Sequence, residues 1–356
     1  MIKLIKRLFE DYSGNSNDFF EINDTLINVL EYHRIDMILA DKPISYCENI
    51  EIYNCLSNKR ELISKNNENY IAAVNEINTV FKKNCIDFIL LKGCALMIKY
   101  YKEKFHRSFN DIDFLIDVKD IGKVEEILNQ IGYIQGEVVD GNIIQAKRKD
   151  ILFQRLNTHE IYHMVKFDNS GFEINIDINF KFAWVEFGKS GDSLIKFADT
   201  YENIENLPFN NTSIPILNSE YQFVHLCCHL YNEAVYFTLD KQYISGDDPK
   251  ELSLFRLLDI FLVTQHGLDI KKIYDVSKRA DCVCKIEFVL SLLKTIVGLF
   301  YVDKFSKYFN INNIFSNYYF SVKGKKIEWP IDLCTRLFNV ESKNRALEIL
   351  VQKGLL

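Results

Sequence analysis

The chain has no surplus of basic charge. Its 43 Lys and Arg residues stand against 49 Asp and Glu, a formal net charge of −6. A protein that tracks nucleic-acid backbones needs a cationic excess to displace counterions. Nucleic acid is therefore not an expected partner, and a small molecule or a protein substrate is favoured. Long apolar runs are also missing. The greasiest stretch, Phe288 to Val302, is interrupted by Lys294 and is too short to span a bilayer. Residues 1–9 are basic and amphipathic, without the continuous apolar centre of a secretion signal. No membrane partner is expected, and the expected location is cytoplasmic. A disulfide or zinc framework is absent too. The cysteines number nine, an odd count; Cys227 and Cys228 are adjacent, and Cys282 and Cys284 lie two apart. Neither spacing matches the two-residue gaps of zinc sites, so free thiols in a reducing compartment are expected. There is no internal repeat and no low-complexity linker.

What is present reads as globular. Hydrophobic residues make up 48% and charged residues 26% of 356 residues, enough for a sizeable core in one large domain or two to three small ones. The abundance of Lys, Asn, Ile, Phe and Tyr is the bias that AT-rich codons give, so the many aromatics carry no functional inference.

Periodicity sets out an order of elements. Phe19, Phe20, Ile22, Leu26, Ile27 and Leu30 recur at helical spacing, Asp41-Lys42-Pro43 breaks the pattern, and Glu51 to Ser64 is a second helical run. Tyr70 to Lys83 is an amphipathic helix. Phe88 to Leu91 is a short buried strand, Cys94 to Tyr101 a helix, Asp111 to Ile116 a strand, and Val118 to Ile131 a helix stopped by Gly132. Strand, helix, strand, helix is the order of an α/β unit. Strand-like runs follow at Tyr133–Val139, Ile143–Lys147, Ile151–Leu156 and Ile161–Phe167, with hairpin turns at Asp140-Gly141-Asn142 and Asp168–Gly171. Phe172 to Phe180 alternates almost perfectly, with Ile174, Ile176, Ile178 and Phe180 on one side and Glu173, Asn175, Asp177 and Asn179 on the other. From Ser219 onward the pattern is almost wholly helical, with runs at Ser219–Leu230, Glu251–His266, Lys271–Arg279, Cys284–Tyr301 and Ser342–Lys353 and a loop at Gly246–Pro249. The expected architecture is α+β: a mixed sheet with flanking helices, an N-terminal helical segment and a C-terminal all-α domain. The expected boundaries are 1–68, 69–218 and 219–356.

The chemistry concentrates in the strand Asp111-Ile112-Asp113-Phe114-Leu115-Ile116. Residues two apart in an extended chain share a face, so Asp111 and Asp113 project together, roughly 6–7 Å apart. Acids so spaced can share a pair of divalent cations about 3.5–4 Å apart, the usual machinery for in-line attack on phosphorus. A third carboxylate from a neighbouring strand would complete the set; Asp177 is the better candidate and Glu173 the alternative. Mg²⁺ needs few protein ligands because it keeps several waters. The expected roles are metal ligation by Asp111, Asp113 and Asp177, with Asp177 also helping to deprotonate an attacking hydroxyl. Lys92-Gly93 lies where a strand passes into a helix. Unpaired amides at a helix start attract phosphate, Gly93 permits close approach, and Lys92 adds a point charge. Arg107 either binds a phosphate or pins its loop through Asp111. The alternatives to these readings are an ordinary solvated strand edge and a surface lysine beside a turn glycine. Lys147-Arg148-Lys149 reads as a solvated hairpin face. His225 and His229 share a helix face, but the intervening residues lack the glutamate of a metalloprotease motif, so packing is preferred to a metal site.

Leu91-Lys92-Gly93-Cys94-Ala95-Leu96, then Tyr100, Arg107 and Asp111-Ile112-Asp113-Phe114-Leu115-Ile116, resembles the uncharacterised bacterial nucleotidyltransferase family of the DNA polymerase β superfamily. The later strand carries Asp177, with Asn179 where that family usually has histidine. Glu220 to His229 and Phe255 to Ile260 are similar to the family's helical half. The resemblance implies a minimal nucleotidyltransferase fold with an appended helical domain. It further implies two Mg²⁺ ions held by Asp111, Asp113 and Asp177, a nucleoside triphosphate such as ATP near Lys92, Gly93 and Arg107, and a peptide or metabolite acceptor. The chain departs from the wider superfamily, which usually has Gly-Ser in place of Lys92-Gly93. The expected reaction moves a nucleoside monophosphate onto a hydroxyl and releases pyrophosphate. The alternatives are phosphoryl transfer at the same site and a non-catalytic nucleotide-sensing module.

Overall fold

The computed structural model describes residues 1–14, 21–182, 195–210, 212–236, 252–312, 318–320 and 326–353. Phe19, Phe20 and the loop Gly246–Pro249 lie outside the described residues. The chain divides into two compact units, one formed by Asn54–Gln222 and the other by Met1–Tyr53 with Phe223–Leu356.

The unit Asn54–Gln222 is built on one eight-stranded mixed sheet. Its strands are β1 (Phe88–Leu90), β2 (Ile112–Ile116), β3 (Ile134–Val139), β4 (Asn142–Gln145), β5 (Met164–Phe167), β6 (Glu173–Asn179), β7 (Ile204–Phe209) and β8 (Thr212–Leu217), in the spatial order β4-β3-β5-β6-β2-β1-β8-β7. The pairs β2–β6 and β1–β8 are parallel and the others antiparallel. The fold class is α+β.

One sheet face is greasy because the strand residues that alternate onto it are. Phe88, Leu90, Ile112, Phe114, Ile116, Ile174, Ile176 and Ile178 join a single buried cluster. Against them pack Tyr70, Ala73, Val74, Ile77 and Phe81, an apolar stripe at helical spacing on α3 (Ile50–Lys83). The helix α5 (Ile121–Gln130) adds Ile121, Val124, Ile127 and Leu128. Helix α4 (Lys92–Tyr100) follows β1. The β3–β4 hairpin closes on Asp140 and Gly141, both at positive φ (50° and 74°), as a two-residue turn with the twist of its strands requires.

Several local expectations are corrected. The runs Glu51–Ser64 and Tyr70–Lys83 form one continuous helix of 34 residues, because no Pro or Gly lies between them to stop it. Ile151–Leu156 is not a strand; it lies in helix α6 (Arg148–Asn157). A short apolar run cannot distinguish the two states by periodicity. Here Arg155 paired with Glu125, and Gln154 bonded to Glu160, hold it as a helix. The β7–β8 hairpin has no counterpart in the sequence reading.

The other unit is mainly helical. Its N-terminal part includes α1 (Ile2–Ser13), whose buried stripe is Ile5, Leu8, Phe9 and Tyr12, and α2 (Asp24–Tyr32), capped by the Asn23 side chain. The chain forms α7 (Phe197–Tyr201) before β7, and α8 (Ser219–Tyr236) runs past the boundary at Phe223. There follow α9 (Leu254–Thr264), α10 (Ile270–Arg279), α11 (Val283–Val297), α12 (Leu299–Val302), α13 (Leu333–Phe338) and α14 (Val340–Gln352). Gly298, at φ 101°, divides the expected single run Cys284–Tyr301 into α11 and α12. A small antiparallel ribbon, β9 (Tyr318–Phe320) with β10 (Lys326–Glu328), lies within this otherwise helical stretch.

Candidate active site

Alternation along β2 and β6 sends their isoleucines into the core cluster and their acids to the opposite face. In the parallel β2–β6 ladder, Asp113 is the register partner of Asp177. Paired residues of neighbouring strands stand about 4.8 Å apart on the same face. Asp111 precedes Asp113 by two residues, just before the strand begins. Glu173, the alternative third acid, faces Phe167 of β5 at the far end of β6 and accepts a 2.8 Å hydrogen bond from Asn175 Nδ2. It is Asp177 that the fold brings to Asp113.

Lys92 completes this side. The Leu91 amide donates to the Asp113 carbonyl at 2.9 Å, holding the start of α4 against β2. Lys92 itself takes a left-handed conformation, φ 40°, and its Nζ lies 2.7 Å from Asp113 Oδ1. Both side chains are largely buried, so the pair is only weakly screened. Gly93 has a packing reason to be glycine: a Cβ there would meet Phe109 Cβ and Cγ at 3.0 Å.

The loop before Asp111 is pinned onto α3. Asn67 Nδ2 donates to the carbonyls of Lys104 (2.7 Å) and Arg107 (3.1 Å), and the Tyr70 hydroxyl donates to the Asn110 carbonyl at 2.8 Å. Burial first, then the charges of Asp111 and Glu173, raise the Tyr70 hydroxyl above its ordinary value, which keeps it a donor. Arg107 is buried, and its guanidinium donates to the Ser108 carbonyl.

Sequence reasoning missed Glu160. It lies between α6 and β5 and forms an isolated antiparallel bridge with Asn179 of β6. The amide of Ile161 donates to Ile178 and that of Phe180 to His159, at 3.0 and 2.9 Å. That pattern makes Glu160 and Asn179 a non-hydrogen-bonded pair, the kind whose side chains approach most closely. Gln154 Nε2 donates to Glu160 Oε1 at 3.0 Å. No motif spacing marks Glu160; only the bridge to β6 brings it to the acids.

The carboxyls feel one another. Burial, followed by the charges of Asp113, Glu160 and Asp111, raises Asp177 well above the ordinary carboxylate range, with Lys92 opposing. Burial pushes Glu160 up to about 7; Asp113 and Asp111 add to the shift, while Lys92 and the bond from Gln154 oppose it. Among the described residues, no group of three or more His, Cys, Asp or Glu side chains is gathered closely enough to hold a metal ion as it stands.

The remaining candidates are structural in character. Lys147, Arg148 and Lys149 are exposed around the start of α6. His229 Nδ1 lies 3.5 Å from Glu233 Oε1, and Glu233 is gripped by Arg256 through bonds of 3.0 and 2.8 Å. All nine cysteines are free thiols. Among the described residues no helix is long and apolar enough to cross a membrane.

The α+β sheet thus presents acids on adjacent strands beside a lysine at a helix start. The chain belongs to the uncharacterised nucleotidyltransferase family, whose model matches residues 23–298. Membership supports nucleotidyl transfer as the general class of activity, with a nucleotide as substrate. No curated protein matches the chain. A solved structure, that of an antigenic nucleotidyltransferase-like protein from Paracoccidioides brasiliensis, is similar at 10% identity and a TM-score of 0.38, over 69% of this chain and 95% of the other.

Proposed function

We propose that the protein is a Mg²⁺-dependent nucleotidyltransferase that moves a nucleoside monophosphate from a nucleoside triphosphate, ATP in the first instance, onto a hydroxyl of a small molecule, peptide or protein. The observation that carries this reading is the register pairing of Asp113 with Asp177, beside Asp111, on the polar face of the sheet. The donor chemistry fits Mg²⁺: the acids are hard oxygen donors, and their mutual repulsion leaves negative charge for a cation to neutralise. Asp111, Asp113 and Asp177 would hold two such ions. Mg²⁺ bound there would supply charge neutralisation at the triphosphate and acidify the attacking hydroxyl.

The chain's own residues do the rest. Lys92, with the amides at the start of α4, holds the triphosphate, and Arg107 supports the loop that places Asp111. Asp177 takes the proton of the acceptor hydroxyl. That oxygen forms a bond to the α-phosphorus as the α–β bridging bond breaks, and pyrophosphate leaves. Positioning and charge neutralisation supply the rate. The net charge of −6 favours a peptide or metabolite acceptor over nucleic acid, and the free thiols fit a reducing cytoplasm.

The test is incubation with α-labelled nucleoside triphosphates, Mg²⁺ and a lysate of the source organism, with mass spectrometry of labelled products. An NMP adduct together with pyrophosphate is expected. A phosphate adduct together with a nucleoside diphosphate would replace this reading with phosphoryl transfer. Neither product, with nucleotide still bound, would favour a sensing module.

A further inference from the structure

Asn179 is 2% exposed, and its side-chain Nδ2 meets no hydrogen-bond acceptor among the described residues. An unmatched buried amide donor is unfavourable, so a site that keeps one has a use for it. Alternation on β6 places Asn179 on the face of Asp177, and the bridge sets it beside Glu160 in the close, non-hydrogen-bonded register. Oε1 of Glu160 is engaged by Gln154. Oε2 lies 3.7 Å from His159 Nε2. An amide donor and a carboxyl acceptor therefore share a face next to the acids.

We infer that Glu160 and Asn179 form a seat for a substrate hydroxyl at the nucleotidyl-transfer site, a claim that rests on the function proposed above. A hydroxyl is the group that fits, because it accepts one hydrogen bond and donates another. It accepts from Asn179 Nδ2 and donates to the Glu160 carboxylate. An ionised phosphate oxygen accepts from Asn179 but has no proton to donate to Glu160. An ammonium has no lone pair for Asn179. The hydroxyl belongs either to the ribose of the nucleotide or to the acceptor, and both are hydroxyl chemistry.

The experiment uses the full chain with Glu160→Gln and Asn179→Ala, each checked for a cooperative melting transition, and Asn179→Leu as a fuller-volume replacement. Gln154 donates to position 160, so a glutamine there turns its carbonyl to Gln154 and its amide to the seat. Two donors then face each other and the hydroxyl loses its acceptor. The first arm titrates α,β-methylene-ATP and its 2′-deoxy and 3′-deoxy forms with Mg²⁺ by calorimetry. The second measures NMP adducts formed from α-labelled ATP in lysate, per molecule of nucleotide bound. A ribose hydroxyl predicts that the wild type prefers the parent nucleotide roughly tenfold over one deoxy form and that the variants lose this preference. An acceptor hydroxyl predicts unchanged nucleotide affinities and adduct yields lower by roughly tenfold or more in the variants. If the wild type binds triphosphate and neither arm separates it from the variants, the hydroxyl seat is overturned while the proposed function stands. If the wild type binds no triphosphate, the proposed function falls, and this inference with it.

Discussion

Asp113 and Asp177 lie 64 positions apart in the sequence and are register partners on the parallel strands β2 and β6. The ladder holds two carboxyls on one face, beside Asp111 and Glu160, with Lys92 paired to Asp113. The energetic behaviour of the site follows from that crowding.

Glu160 should take stability from the fold as pH rises through the weakly acidic range. Glu160 titrates near 4.5 in an unfolded chain and near 7 when folded. In between, the folded state binds more protons than the unfolded state, so the slope of unfolding free energy against pH is negative. The loss begins near pH 4.5 and is complete above about pH 7. Asp177, also raised, adds to it in the same direction. Buried His33, lowered to about 4 chiefly by desolvation, and His163, also lowered, give the opposite slope over part of this range. The readout is therefore a difference: in urea titrations of the metal-free protein from pH 4.5 to 7.5, the wild type should lose stability relative to Glu160→Gln as pH rises.

Mg²⁺ should stabilise the protein through the same acids. Binding to the folded state adds RT ln(1 + [Mg²⁺]/Kd), about 2.7 kcal/mol at a hundredfold excess over Kd. Thermal melts should shift upward with Mg²⁺ more at pH 7.5 than at pH 5.5, where the raised carboxyls hold protons. Asp177→Asn should remove most of the shift and should abolish nucleotidyl transfer. A shift that persists undiminished in Asp111→Asn, Asp113→Asn and Asp177→Asn alike would place the cation elsewhere.

Removal of the Lys92 charge should expose the cost of a buried, unbalanced carboxylate. Breaking a buried ion pair on one side costs about 3–5 kcal/mol. Lys92→Met should destabilise by an amount of that order. Lys92→Met combined with Asp113→Asn should recover a substantial part of it in a double-mutant cycle. Triphosphate affinity should fall in both variants.

Gly93→Ala should act through packing. The added Cβ would lie 3.0 Å from Phe109 Cβ, an atom fixed to the backbone, so the loop itself must shift. Overpacking of this kind costs about 1–3 kcal/mol. Phe109→Ala should rescue the variant only in part, because alanine removes Cγ and Cδ2 but keeps Cβ. Denaturant midpoints of the single and double variants decide the matter.

Much of this protein was legible from local pattern. The period-2 alternation of Phe172–Phe180 marks β6 and sorts its residues by face. Asp140-Gly141 marks a hairpin turn, and Asp111-Ile112-Asp113 after Leu91-Lys92-Gly93 marks the family. Each depends on residues a few positions apart, whose relation is set by backbone geometry alone. Where a short apolar stretch fits two periods, as in Ile151–Leu156, the local signal fails. There the helix is decided by what Gln154 and Arg155 reach.

The sequence determined β1, β2 and β6, their polar faces and the acids they carry, because alternation follows from the extended backbone. Only the tertiary structure decided which strand lies beside which. Strand order selected Asp177 over Glu173 as the neighbour of Asp113, brought Glu160 and Asn179 together, and turned Lys92 onto Asp113. Register between distant strands depends on packing summed over the whole sheet, and no local spacing encodes it.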